Sequence, residues 1–432
     1  MHNFFRNAGL HRSPWPWRSF PPQSRFFSNT KPRDFWSRRT LPKPRHDTFI
    51  IEELRRPSLM RPLLFTISVS GLSLVAAAQL TNWNTQKWID ILRDSNPIKY
   101  FFTLPSNKDM RRARQRSLSE QLQARYDELI DYVAEETQTV TKTAYLMMGV
   151  YFNAAQNWLD SGEGSRVCRM IMCLTTAVWL AWKIRRFRPF MSTHFMDYSL
   201  SGKSYTMLTS VFSHAALIHL LLNNVALGSF GPFAMRYLTE SQEGYMPEST
   251  SMFHFLSFFI TAGVFSSFLA NAVRIRLFYP RLIKSLISPQ SAAATTAAAT
   301  SSATTGAAAA VSATAASAVA SASRFPHSLG ASGALYACVT MCCLAFPKAE
   351  AGLIFPADVT VPLPMATGAI ILLDVVGVLR GWKRIDHLAH LSGAAFGVIY
   401  YYYGPVVWDT TRRVLAGVES ETGNADTGHQ LD

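Results

Sequence analysis

The chain has 432 residues, 48% of them hydrophobic and 16% charged, with a formal net charge of +14. Its apolar residues fall in long blocks, which argues against an ordinary soluble globular protein. Most of the positive charge sits at one end of the chain, which argues against nucleic acid as the partner it would otherwise suggest.

Residues 1–46 hold ten Lys/Arg against the single acid Asp34. Arg6, Arg12, Arg18 and Arg25 are mixed with Phe4, Phe5, Leu10, Trp15, Trp17 and Phe20. This Arg-rich, acid-poor, amphipathic leader is expected to be a mitochondrial transit peptide, since a secretory signal needs a compact apolar core. The plainer alternative is a basic tail. Arg25-Phe26-Phe27-Ser28 resembles a matrix-processing site.

Seven apolar blocks follow, each near the ~20 residues that a bilayer-spanning helix needs: Leu63–Leu80, Val167–Trp182, Val211–Phe230, Phe253–Val273, Leu329–Phe346, Leu363–Leu379 and His387–Tyr403. Residues 47–82 thus make a first transmembrane helix with its flanks. Residues 83–166 make a polar linker whose Leu118–Thr137 stretch has helical spacing and mixed charge. Residues 167–405 make a six-helix core, and 406–432 a polar tail. The core is interrupted at 291–323, where 30 of 33 residues are Ala, Ser or Thr, with too little large apolar surface to pack; a disordered insertion is expected.

Loop charges predict orientation. Lys183–Lys203, 274–324 and 380–386 are basic, whereas 81–166, 233–252 and 347–358 are neutral or acidic. The positive-inside rule puts the basic loops and the leader on one side, the matrix for a mitochondrial protein, and the C-terminus in the intermembrane space. Alternation over seven spans gives the same partition.

Polar residues at membrane depth mark function. His214, His219 and Asn223 lie in the third span, Ser332 within Gly330-Ala331-Ser332-Gly333 heads the fifth, and His390 lies just inside the seventh. Spans three, five and seven start from the same side, so these groups can converge at a shallow depth where water still reaches. Ser332 would attack a peptide carbonyl while His390 takes and returns the proton. His219 and Asn223, four apart on one helix face, would donate to the oxyanion together with the Ser332 backbone N–H. No acid is spaced to complete a triad, so a dyad is expected. Gly-x-Ser-Gly alone is a weak signal, and it is not the Gly-x-Ser-x-Gly elbow of soluble hydrolases. His-x4-His-x3-Asn inside a span is stronger; a haem or metal pair, or a transport path, is its alternative reading. No cofactor and no metal are expected, because the five cysteines show no ligand spacing. His387 is expected at the membrane edge beside Asp386. Asp374 either tunes His390 or pairs with a neighbouring helix, with pairing favoured. Trp382 and Tyr400–Tyr403 are expected to be interfacial anchors.

Over about Lys203–Tyr403 these motifs resemble the rhomboid intramembrane serine proteases: His214-x4-His219-x3-Asn223, Gly330-Ala331-Ser332-Gly333 with Tyr336, and Ala389-His390-Leu391-Ser392-Gly393 with Gly397. The resemblance implies an all-α membrane protein with Ser332 as nucleophile, His390 as base, and His219 and Asn223 in the oxyanion hole. It further implies that His214 supports the site, that Tyr336 packs on His390, and that Gly393 and Gly397 let the serine and histidine helices close up. The leader, the extra first span and Gly381-Trp382-Lys383-x2-Asp386-His387-x2-His390 are similar to the mitochondrial, presenilin-associated rhomboid-like branch. That branch implies one helix before a six-helix core (1+6), the inner mitochondrial membrane, and single-span transmembrane substrates. The alternative is an inactive relative that binds transmembrane clients, which the intact Ser332 and His390 argue against.

Overall fold

The structure, a computed structural model, describes residues 58–134, 138–281, 283, 327–352, 359–382 and 385–418. The expected leader, the Ala/Ser/Thr insertion and residues 419–432 of the tail lie outside these. In chain order the helices are α1 (Met60–Ser95), α2 (Asn107–Ala134), α3 (Gln138–Asp160), α4 (Glu163–Lys183) and α5 (Arg188–His194). A two-residue strand β1 (Asp197–Tyr198) precedes α6 (Thr206–Thr209), α7 (Leu217–Glu240) and α8 (Met252–Val273). Then come β2 (His327–Ser328), α9 (Ser332–Ala345), β3 (Glu350–Gly352), β4 (Thr360–Pro362), α10 (Leu363–Arg380) and α11 (His387–Ala416).

The apolar blocks of the sequence are mainly helical, the one from Val211 being broken at 213–216, and the chain is an all-α membrane protein. Among the described residues four helical stretches, Met60–Ser95, Leu217–Glu240, Met252–Arg281 and Leu363–Arg380, are long and apolar enough to cross a membrane. The 14-residue α9 is apolar but shorter, about 21 Å against a hydrocarbon core of about 30 Å. It is enclosed by α7, α8, α10 and α11, and its residues from Gly333 to Cys342 are nearly all buried. Its first residue, Ser332, is half-buried.

The block expected at Leu63–Leu80 continues as helix to Ser95 although the sequence turns polar. Thr81, Thr85, Trp88, Ile89 and Leu92 recur at helical spacing and form a buried face, which sustains the helix where hydropathy fails. This extension is clasped to the end of α11. Asn82 Nδ2 donates to the Arg412 carbonyl and Arg412 Nε donates back to Asn82 Oδ1, both at 2.9 Å. The wholly buried Arg412 also donates to the carbonyls of Met246 and Pro247, and lies 3.6 Å from Glu248. Glu248 in turn accepts from Trp408 Nε1 at 3.1 Å. Burying two charges costs several kcal/mol per ion unless hydrogen bonds meet them; these bonds let a polar knot tie α1 to the core.

The linker is an antiparallel pair, α2 against α3. Helix α2 starts earlier than the spacing predicts, because the Ser106 hydroxyl accepts from the Asp109 N–H at 3.1 Å and caps it. The tyrosines after Val398 divide. Tyr402 and Tyr403 are exposed, as anchors would be, but Tyr400 hydrogen-bonds His254 at 2.9 Å and Tyr401 stacks on Tyr237. These last two serve packing, because only alternate faces of α11 look outward.

Candidate active site

Three segments deliver the polar side chains to one end of the bundle. The first leaves helical geometry at Ser213, so that His214 lies in an extended link before α7, not within a helix, and is wholly buried. His219 and Asn223 follow in the first two turns of α7. The rings of His214 and His219 meet edge-on at 5.0 Å. Asn223 Nδ2 donates to the His219 carbonyl at 2.8 Å, and the amide interacts with His214.

The second segment is β2, which pairs antiparallel with β1 (Asp197 opposite Ser328) and leads into the turn before α9. Gly330 has φ of +122°, a conformation that side chains rarely adopt, and a Cβ there would lie 2.7 Å from the His219 ring. Its N–H donates to the Ser210 carbonyl at 2.9 Å, and the Ala331 N–H donates to His214 Nε2 at 3.4 Å. His214 therefore holds the turn, and Ser332 becomes the first residue of α9, where the backbone N–H groups of the opening turn lack helical partners.

The third segment is the start of α11. Asp386 caps it by accepting from the Ala389 N–H at 3.2 Å. One turn in, His390 Nε2 lies 2.9 Å from Ser332 Oγ, and the ring stacks on Tyr336 with centroids 4.3 Å apart. The helices can approach this closely because an added Cβ at Gly393 would sit 2.0 Å from the Gly333 carbonyl oxygen, and one at Gly397 2.4 Å from that of Ala337. A backbone carbonyl inside a helix cannot yield that much room. Gly393→Ala is therefore expected to force α9 and α11 apart and break the Ser332–His390 hydrogen bond. Labelling of Ser332 by a fluorophosphonate should slow by about 10²-fold or more, while Gly71→Ala, with nothing within 4 Å, leaves it unchanged.

Sequence spacing gave no acid to complete a triad and favoured helix pairing for Asp374; the structure places that carboxylate beside His390. Asp374 of α10 is 2% exposed, and its Oδ1 lies 3.1 Å from His390 Nδ1. The same oxygen lies 2.5 Å from His387 Nδ1. Helix pairing and contact with His390, weighed above as alternatives for Asp374, are both present. His387 is correspondingly not an edge residue: it is 4% exposed and turned inward against Gly377. A signal was available. A lone acid in an apolar helix, joined by a short link to a helix that opens with two histidines three residues apart, faces those histidines across the hairpin. Since a carboxylate only accepts, the two nitrogens facing it carry protons. His390 Nε2 is then left to accept from the Ser332 hydroxyl.

A buried ion network ties the second and third segments to α8 and β1. Arg274 at the end of α8 is 2% exposed; it donates to Ser328 Oγ at 2.8 Å and Asn271 Oδ1 at 3.2 Å, and pairs with Asp386. Burial works against the Asp386 charge, but the Arg274 guanidinium, the Ser328 hydroxyl and the Ala389 N–H outweigh it and hold the carboxyl below its usual range. Asn271 Nδ2 passes the chain of bonds to Asp197 at 2.7 Å, which also accepts from Thr206 at 3.0 Å. Burial pushes the Asp197 carboxyl up to about 6 in spite of these donors. A carboxyl whose folded value is raised adds stability below its unfolded value, and that contribution is lost as pH rises through about 6. Thermal unfolding in detergent should therefore show the wild type losing stability relative to Asp197→Asn between about pH 4 and pH 6, by at most about 3 kcal/mol. Parallel curves would contradict this.

Among the described residues no group of His, Cys, Asp and Glu is arranged to hold a metal ion.

Residues 254–405 match the family model described as the rhomboid domain. The chain is 23% identical over 357 residues to the zebrafish (Danio rerio) presenilin-associated rhomboid-like protein A, mitochondrial, covering 82% of this chain and 73% of that one. It is 25% identical over 253 residues to the bovine (Bos taurus) presenilin-associated rhomboid-like protein, mitochondrial, covering 58% of this chain and 52% of the relative. It is 28% identical over 249 residues to the RHOMBOID-like protein 12, mitochondrial, of Arabidopsis thaliana, covering 56% and 60%. The chain thus spans about half the length of the mammalian relative. No solved structure matches it.

Proposed function

Because the chain carries a rhomboid domain and is similar to mitochondrial rhomboid-like proteins, we propose that it is a serine endopeptidase that cleaves transmembrane segments within the bilayer. The observation that carries this reading is the 2.9 Å approach of Ser332 Oγ to His390 Nε2 at the start of α9. Ser332 attacks the scissile carbonyl carbon as its proton passes to His390. The Ser332 backbone N–H, His219 and Asn223 are assigned to the oxyanion. His390 then protonates the leaving amine, and a water molecule, deprotonated by the same imidazole, hydrolyses the acyl-enzyme. Asp374 extends the expected dyad: its charge holds His390 in the tautomer that can accept from serine and faces the imidazolium formed during attack.

Single-span proteins are the substrates this site suits. A helix must unwind locally to present a carbonyl to the half-buried Ser332, so small or helix-destabilising residues should mark the cleavage position. The leader and the loop charges support the mitochondrial inner membrane, with the N-terminus in the matrix, the C-terminus in the intermembrane space, and α1 preceding a six-helix core. The test is cleavage of a single-span model substrate by the purified protein in detergent. Cleavage inside the span that vanishes in Ser332→Ala supports the proposal. Equal cleavage by both removes the serine route, and binding without cleavage by the wild type favours the inactive client-binding alternative.

A further inference from the structure

The chemistry above gives the buried imidazole of His387 no task. His387 precedes His390 by three residues at the start of α11, and it approaches Asp374 Oδ1 at 2.5 Å, closer than His390 does at 3.1 Å. Its other nitrogen, Nε2, is buried without a partner, as is Asp374 Oδ2. A carboxylate can only accept, so the Nδ1 that faces Asp374 carries a proton and donates to it. We propose that His387 is a positioning residue, whose Nδ1–H fixes the Asp374 carboxylate in the rotamer that accepts from His390.

The surroundings favour this role. Asp374 has few donors for a buried carboxylate: the two imidazoles and an interaction with Tyr336. Remove the shorter bond and Oδ1 has only His390 to orient it, while a carboxylate so poorly solvated tends to rotate or to take up a proton. The His387 ring cannot drift, because Gly377 forms its back wall. A Cβ at that position would lie 2.4 Å from Nε2 and 2.5 Å from Cε1, so only glycine leaves the ring its place. This inference rests on the serine protease reading and goes beyond it, because His387 touches neither substrate nor nucleophile.

The test compares His387→Asn with His387→Gln in the purified full chain, reading fluorophosphonate labelling of Ser332 and the kcat and KM of single-span substrate cleavage. An asparagine amide reaches the position of Nδ1, and a glutamine amide that of Nε2. His387→Asn should keep kcat within about threefold of wild type; His387→Gln and Gly377→Ala should lower it by about tenfold or more, with KM unchanged and labelling slowed in step. Equal rates for the Asn and Gln variants, or a change confined to KM, would overturn the proposal. Ser332→Ala separates the two readings. If it cleaves like wild type, the protease reading itself fails; if it is silent while His387→Gln is fully active, only the role of His387 is lost.

Discussion

Replacing either Ser332 or His390 with alanine is expected to lower kcat by roughly 10⁴-fold or more, and replacing both to cost little beyond either single change. The reason is geometric. The two side chains share one hydrogen bond of 2.9 Å, and neither has a second route to the chemistry: serine without the base remains a protonated alcohol, and the base without serine has no nucleophile in contact. A residual rate should survive in all three variants, since the helix N-terminus and, on the proposed assignment, His219 and Asn223 would still favour charge on the carbonyl oxygen. The measurement is steady-state cleavage of a single-span substrate in detergent, with unfolding temperatures recorded alongside. Multiplicative losses in the double variant would mean that the two residues act independently, and the proton relay would have to be abandoned.

Much of this arrangement was legible in the sequence because hydropathy and helical period are strong signals in membrane proteins. The seven blocks are mainly helical, and polar residues inside them stood out against lipid-like neighbours. Boundaries were less legible where tertiary contacts override hydropathy. Helix α1 runs on to Ser95 on the strength of a buried face, and the block starting at Val211 breaks at Ser213, freeing His214 to receive the Ala331 N–H. Hidden partners were least legible. Arg274, Asp386 and Asp197 looked like loop charges, useful only for orientation, yet they form the buried network that joins β1, α8 and α11. Nothing in linear spacing reveals that a residue near position 200 and another near 386 close over the same arginine. Asp374 sits between these cases: its charge in an apolar helix was conspicuous, but which of its neighbours it served depended on how far α10 and α11 slide past each other.

That register gives the second large effect. Asp374→Asn preserves the size of the side chain and, with its amide oxygen at the Oδ1 position, an acceptor for both imidazole N–H groups, but it removes the negative charge and places a donor at the Oδ2 position, which has no partner. Its expected outcome is a fall in kcat of about 10³-fold with KM nearly unchanged, because the lost interaction strengthens only as His390 becomes charged. The loss should be smaller than for Ser332→Ala, since proton transfer from serine to a less well-held imidazole still occurs. Packing alone predicts a different pattern. If Asp374 merely pairs α10 with α11, the isosteric amide should keep nearly full activity, and any harm should appear first as a lower unfolding temperature. The two accounts therefore part on a single comparison, kcat against thermal stability in the same preparation. Activity within about threefold of wild type would return Asp374 to a packing role and leave Ser332 and His390 as a dyad.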